Sequence, residues 1–161
     1  MAAMNVAIEP AFKRDLESER FNLTLEPPAQ ILSVSAFSSD HEIINHVVDS
    51  SPWRLTAVDS KLEASQELRH TRFTVVFCES SLSDGTWKDM LDIVSGLEEP
   101  PLLVVTSRLA DEYLWAEVLN FGGYDVLAKP LIEDEVRRVL TLAMTHRQLP
   151  AAHVQMYQTA G

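Results

Sequence analysis

Five short apolar runs recur along residues 31–128, and each is followed by a polar stretch with helical periodicity. The runs are Ile31-Leu32-Ser33-Val34, the segment 53–58, Phe73-Thr74-Val75-Val76-Phe77-Cys78, Leu102-Leu103-Val104-Val105 and the segment 124–128. Each is too short for a stable helix and rich in branched or aromatic residues, so each reads as a strand. Because the runs are continuously apolar rather than alternating, the strands should be covered on both faces. That requirement limits the chain to one main class of fold.

The intervening segments supply the covers. Ser39-Asp40-His41-Glu42 reads as a capping box, followed by Ile43, Ile44, Val47 and Val48 at helical spacing. Ser50-Ser51-Pro52 ends that helix. Ser60-Lys61-Leu62-Glu63 opens a second helix, with Leu62 and Leu68 on one face. A polar loop over 79–85 precedes a third helix marked by Trp87, Met90, Leu91 and Val94. Leu114, Trp115, Val118 and Leu119 stripe a fourth, stopped by Gly122-Gly123. Val136, Val139, Leu140 and Ala143 stripe the fifth. Five strands alternating with five helices predict an α/β protein: a three-layer (βα)5, doubly wound parallel sheet of flavodoxin-like type, strand order 2-1-3-4-5. Such sheets carry their sites at the carboxyl ends of the strands. Ser35, Ala36, Glu79, Thr106 and Lys129 should therefore converge.

The 161 residues are enough for one domain. Residues 1–28 read as a flexible arm, 29–147 as the folded domain and 148–161 as a flexible tail. A net charge of −11 argues against nucleic acid and anionic membrane surfaces. The single cysteine, Cys78, permits no disulfide within the chain, and its apolar neighbours make it an inert core residue. The start lacks the pattern of a secretory leader, and no window is apolar enough for a membrane span. A cytoplasmic protein is expected. The histidines His41, His46, His70, His146 and His153 lack metal-ligand spacing, and no glycine-rich phosphate loop is present.

Two details at the predicted carboxyl edge carry a further likeness. Thr106-Ser107 ends the fourth run, and Gly122-Gly123-Tyr124-Asp125-Val126-Leu127-Ala128-Lys129-Pro130 ends the fifth. Over residues 31–146 the chain resembles a response-regulator receiver domain of two-component systems. Receivers end their fourth strand in Thr or Ser and their fifth in Lys-Pro, the latter with a cis bond. Asp84-Gly85 resembles the loop that follows their phosphoacceptor. Three positions depart from the pattern. Glu79 stands where the phosphoacceptor aspartate belongs, as a pseudo-phosphoacceptor. Ser35 and Ala36 stand where the acidic pair that holds magnesium belongs. Val126 stands at the switch position usually held by Tyr or Phe.

The departures have physical weight. Magnesium is held by near-octahedral oxygen ligands that include carboxylates. Ser35 and Ala36 offer none, and Asp40 and Glu42 fall on the start of a helix. No cofactor is expected, and the magnesium site reads as lost. Phosphate-site remnants persist in Thr106, Lys129 and Pro130: Lys129 can pair with Glu79, and Thr106 can donate to its carboxylate. The resemblance thus implies a stand-alone atypical receiver that signals by docking rather than by phosphorylation. Its partner would be another signalling protein, a histidine kinase or an output protein, with a homodimer also possible. The alternative is a receiver still phosphorylated in the site loop, at Glu79, Ser80 or Ser81. A small enzyme on the same fold is a remote third reading, since no nucleophile-elbow motif surrounds Ser107. Trp115 falls at core spacing with Leu114 and Leu119 and reads as a core side chain. If exposed, it, Tyr113 or Tyr124 would be an interface anchor on the face formed by the fourth helix, fifth strand and fifth helix. Trp87 reads as a shield for the site loop.

Overall fold

A computed structural model describes residues 27–148. The arm expected over 1–28 and the tail expected over 148–161 lie outside the described residues, apart from Pro27, Pro28 and Gln148. The elements run β1 (Gln30–Val34), α1 (Ser38–Asp49), β2 (Arg54–Val58), α2 (Lys61–His70), β3 (Val75–Glu79), β4 (Ser81–Leu82), β5 (Gly85–Thr86), α3 (Trp87–Ser95), β6 (Leu102–Ser107), α4 (Glu112–Phe121), β7 (Asp125–Ala128) and α5 (Glu133–Gln148). The main sheet has the order β2-β1-β3-β6-β7. All its pairings are parallel. This is the doubly wound topology predicted from the alternation, with strand 3 followed by a small extra hairpin. No helix among the described residues is long and apolar enough to cross a membrane.

The alternation of strand side chains sorts the core into two layers. Leu32, Val34, Val76, Cys78, Leu103 and Val105 face α2, α3 and α4, meeting Ala64, Leu68, Trp87, Met90, Leu91, Val94 and Val118. Ile31, Val75, Phe77, Val104 and Leu127 face α1 and α5, meeting Ile44, Val47, Val48, Val136, Val139, Leu140 and Ala143. Each large side chain buried this way contributes about 1.5–3 kcal/mol, so the two layers fix the sheet and, with it, the strand ends. Cys78 is fully buried, and burial followed by the charge of Glu79 pushes its thiol well above the usual range.

Helix ends differ from the sequence reading in informative ways. Ser39 does not cap α1: the cap falls two residues earlier, at Phe37, and that residue contributes no side-chain bond. The Ser60 cap is present, accepting from Glu63 N at 3.2 Å, while the Glu63 carboxylate accepts from Asp59 N at 2.9 Å. Leu62 does not share the buried face with Leu68; it is exposed, and Ala64 with Leu68 forms the packed stripe. Six positions separate Leu62 from Leu68, which places them well apart around a helix of 3.6 residues per turn. The polar loop expected over 79–85 is largely the β4–β5 hairpin, with Ser81 opposite Thr86 and Leu82 opposite Gly85. Thr86 and Asp89 form a capping box that opens α3. At Gly85 a Cβ would lie 2.7 Å from Asp89 Oδ2, so a larger residue there would push that capping carboxylate aside. Gly122 ends α4 with φ of 102°, the left-handed cap that favours glycine.

Candidate functional site

Parallel strands in register bring their carboxyl ends to one edge. Glu79 lies beside Thr106 in the β3–β6 register, and Cys78, just before Glu79, pairs with Val34 of β1. The loop after β7 crosses the edge, held by Lys129 N donating to Ser107 O at 3.0 Å. The Lys129–Pro130 bond is cis. Lys129 can then project its ammonium back across the edge.

That ammonium meets two carboxylates. Lys129 Nζ donates to Glu79 Oε2 and lies 2.7 Å from Asp40 Oδ2. All three residues are buried, with exposures of 9% for Lys129, 8% for Glu79 and 4% for Asp40. Ser35 Oγ also donates to Asp40 Oδ2, at 2.6 Å, and accepts from Phe37 N at 3.1 Å. Ser35 therefore does not replace an acidic residue as a ligand; it orients one. Asp40 is the site residue that the sequence reading set aside. Its place in the first turn of α1 points its carboxylate inward, over the end of β1. The residue spacing alone held a signal: a helix that follows its strand after so short a loop turns its first inward side chain toward that strand's end.

Above the ion cluster lies Phe37. Its ring centroid is 4.2 Å from Lys129 Nζ and 5.5 Å from Arg108 Cζ. A ring face attracts cations, and more strongly where water is excluded. Phe37 thus roofs the site between an interior ammonium and an exterior guanidinium. No feature of the sequence marked Phe37 or Arg108 beforehand.

The other predicted residues separate. Thr106 is buried at the edge, but its hydroxyl makes no hydrogen bond to Glu79 among the described residues; its carbonyl accepts from Ser80 N at 2.8 Å. Ala36 is exposed and lines the loop between β1 and α1 without contributing a polar group. Pro130 is exposed just beyond the cis bond. Val126 is half-buried and packs against the α2–α3–α4 layer. Ser80 Oγ donates to Ser107 Oγ at 3.0 Å, and Ser107 Oγ accepts from Leu109 N at 3.1 Å, so Ser107 is spent on the loop. Trp87 is buried in the core, meets Phe121 edge-on with centroids 6.1 Å apart, and lines a pocket with Ser80 and Ser81 of the site loop. Trp115 is not a core residue: it is 51% exposed, because α4 buries only Val118 fully. Tyr113 is 86% exposed, whereas Tyr124 is half-buried against the α1–α5 layer. Burial, followed by the Asp125 charge, raises the Tyr124 phenol above its ordinary range, while Arg138 acts the other way.

The loop that leaves the site is tied down. Asp84 accepts from Lys61 N and Leu62 N, both at 2.9 Å, so the hairpin caps α2 from outside. Those bonds hold the Asp84 carboxyl below the usual carboxylate range. Among the described residues, no three acidic, histidine or cysteine side chains converge as a metal site would require.

No family model matches the chain, and no curated protein matches it. Solved structures do. A two-component response regulator from Clostridium difficile superposes with a TM-score of 0.68 at 18% identity, over 75% of this chain and 99% of the other. The signal receiver domain of an HD domain-containing protein from Pseudomonas fluorescens Pf-5 gives 0.67 at 20% identity, over 74% and 96%. The chemotaxis response regulator CheY4 of Vibrio cholerae gives 0.66 at 15% identity, over 72% and 98%. The chain has the fold of a response-regulator receiver domain, and its described part spans nearly the full length of these neighbours.

Proposed function

We propose that this protein is a receiver-fold module of two-component signalling that acts through protein contacts, with its phosphate site closed by an internal ion cluster. The observation that carries this reading is the burial of Lys129 between Asp40 and Glu79 beneath Phe37. In phosphoryl transfer the charge of the entering group is neutralised by metal and fixed cations. Here the cation is already spent on two carboxylates, one of which, Glu79, occupies the acceptor position. The donor set does not fit magnesium: Glu79 and Asp40 each give an oxygen to the Lys129 ammonium, and that same Asp40 oxygen also accepts from Ser35. Receiver domains are in general signalling domains rather than enzymes, and a signalling role is the one proposed here. The partner is then a kinase or output protein, and the exposed Trp115 is its aromatic anchor on the β7–α5 side of α4.

Two measurements test this. Incubation with acetyl phosphate and magnesium, read by intact mass, should leave the mass unchanged. Beryllofluoride with magnesium should cause no saturable amide shifts at Glu79, Thr106 or Lys129. An added phosphate that maps to Glu79, Ser80 or Ser81, or saturable shifts at the site, would establish the alternative of a working phosphoacceptor.

A further inference from the structure

The outward face of α4 exposes large apolar side chains among polar ones, where a surface helix is ordinarily polar. Tyr113, Ala116, Asn120 and Phe121 share it, and Leu109 precedes it at the helix entrance; Tyr113, Phe121 and Leu109 are all exposed large side chains. These residues lie on the solvent side of α4 and toward α3, away from the flank on which Trp115 meets Val126 and Arg138. Tyr113, Ala116, Asn120 and Phe121 line an open cleft of about 680 Å³ together with Glu112 and Glu117. Both charged residues of that cleft are acidic. Lys88, which reaches over the Phe121 ring at 5.2 Å, pairs with Glu117, so Glu112 is the cleft's unpaired charge among the described residues.

We infer that this face docks a cationic amphipathic helix from a partner protein, with apolar anchors set between Tyr113 and Phe121. The inference names a partner class for the protein-contact reading above and rests on that reading. Charge complementarity selects the occupant. A second copy would bring the same acidic rim and the same net charge of −11, and like charges across an interface are costly. The chain's own residues 1–26 carry five acidic against three basic side chains, and 149–161 carry no Lys or Arg, so neither segment complements the rim. An amphipathic helix laid in such a groove presents anchors at i, i+3 or i+4 and i+7, a spacing that matches the reach from Tyr113 to Phe121, two turns apart. A polar rim of opposite sign then sets orientation and entry rate.

The full chain, isotopically labelled, should be titrated with two synthetic helical peptides of the same length and apolar face, one flanked by lysines and one by glutamates. The lysine peptide should bind, with amide shifts gathered at Tyr113, Ala116, Asn120, Phe121 and Lys88, and the glutamate peptide should bind at least about tenfold more weakly. A Tyr113→Ala/Phe121→Ala double variant should lose at least about tenfold in affinity for the lysine peptide. Tyr113→Ala alone, at a residue with almost no packing, keeps the test valid if the Phe121 change disturbs Trp87. Equal affinity for both peptides, shifts gathered elsewhere, or unchanged affinity in Tyr113→Ala would each overturn the inference. Self-association abolished by Tyr113→Ala would overturn it too, giving the face to a second copy. None of these outcomes alters the mass and beryllofluoride tests of the closed site.

Discussion

Two regions of this molecule invert the usual distribution of residues in opposite senses. At the carboxyl edge of the sheet, three charged side chains are buried. On α4, a short distance along the same face of the domain, three aromatic residues are exposed. Charged groups are almost never fully buried unless paired, and large apolar surfaces left in water mark interaction sites. The first region is internally satisfied, since every buried side-chain nitrogen and oxygen among the described residues has a partner. The second is left uncovered by the described residues around it. One region has its ion pairs built in, and the other keeps an open surface.

The largest effect that can test this contrast comes from breaking the buried cluster. Lys129→Ala leaves two carboxylates facing each other out of water. Loss of one partner of a buried ion pair costs about 3–5 kcal/mol, and here both acids lose theirs, so chemical denaturation should show a loss in that range or above. A loss under about 1 kcal/mol would mean that the cluster is solvated and the site open. Next comes a matched truncation of two tryptophans. Trp87→Ala removes a buried ring and should cost about 3–5 kcal/mol, whereas Trp115→Ala should stay within about 0.5 kcal/mol. Comparable losses at the two positions would remove the contrast between a packed α3 and an open α4. The smallest effect concerns the tether on the hairpin. Asp84 has its acidity raised by the α2 backbone donors, so its contribution exists above the ordinary carboxylate range and fades as pH falls through its lowered value. Asp84→Asn should therefore lower the melting temperature at neutral pH, with the two proteins converging below about pH 4. A gap that persists at pH 2 would show that the bonds to Lys61 and Leu62 do not depend on the charge.

Much of the architecture was legible because period-2 and period-3.6 patterns follow directly from backbone geometry. The strands, their two-sided burial and the meeting of Glu79 with Lys129 come from that logic: topology alone sends residues fifty positions apart to one edge. Errors arose where local and tertiary signals competed. Ser39 has the residue type and spacing of a cap, but Asp40 is drawn inward by Lys129 and Ser35, and the helix start moves with it. Trp115 has core spacing, yet α4 lies so lightly on the sheet that a single residue, Val118, is fully covered and its neighbours are left outside. Phe37 and Arg108 were not legible at all. A cation stacked on a ring leaves no periodic trace, since the partners come from loops on different strands.

Phe37 also decides what the outside world can read of this site. A colliding protein does not encounter an ammonium and two carboxylates. It encounters the edge of a phenyl ring with a guanidinium laid across it. The acidic character of the interior is masked, and the local signature at the surface is that of an aromatic residue and one positive charge on a strongly negative molecule.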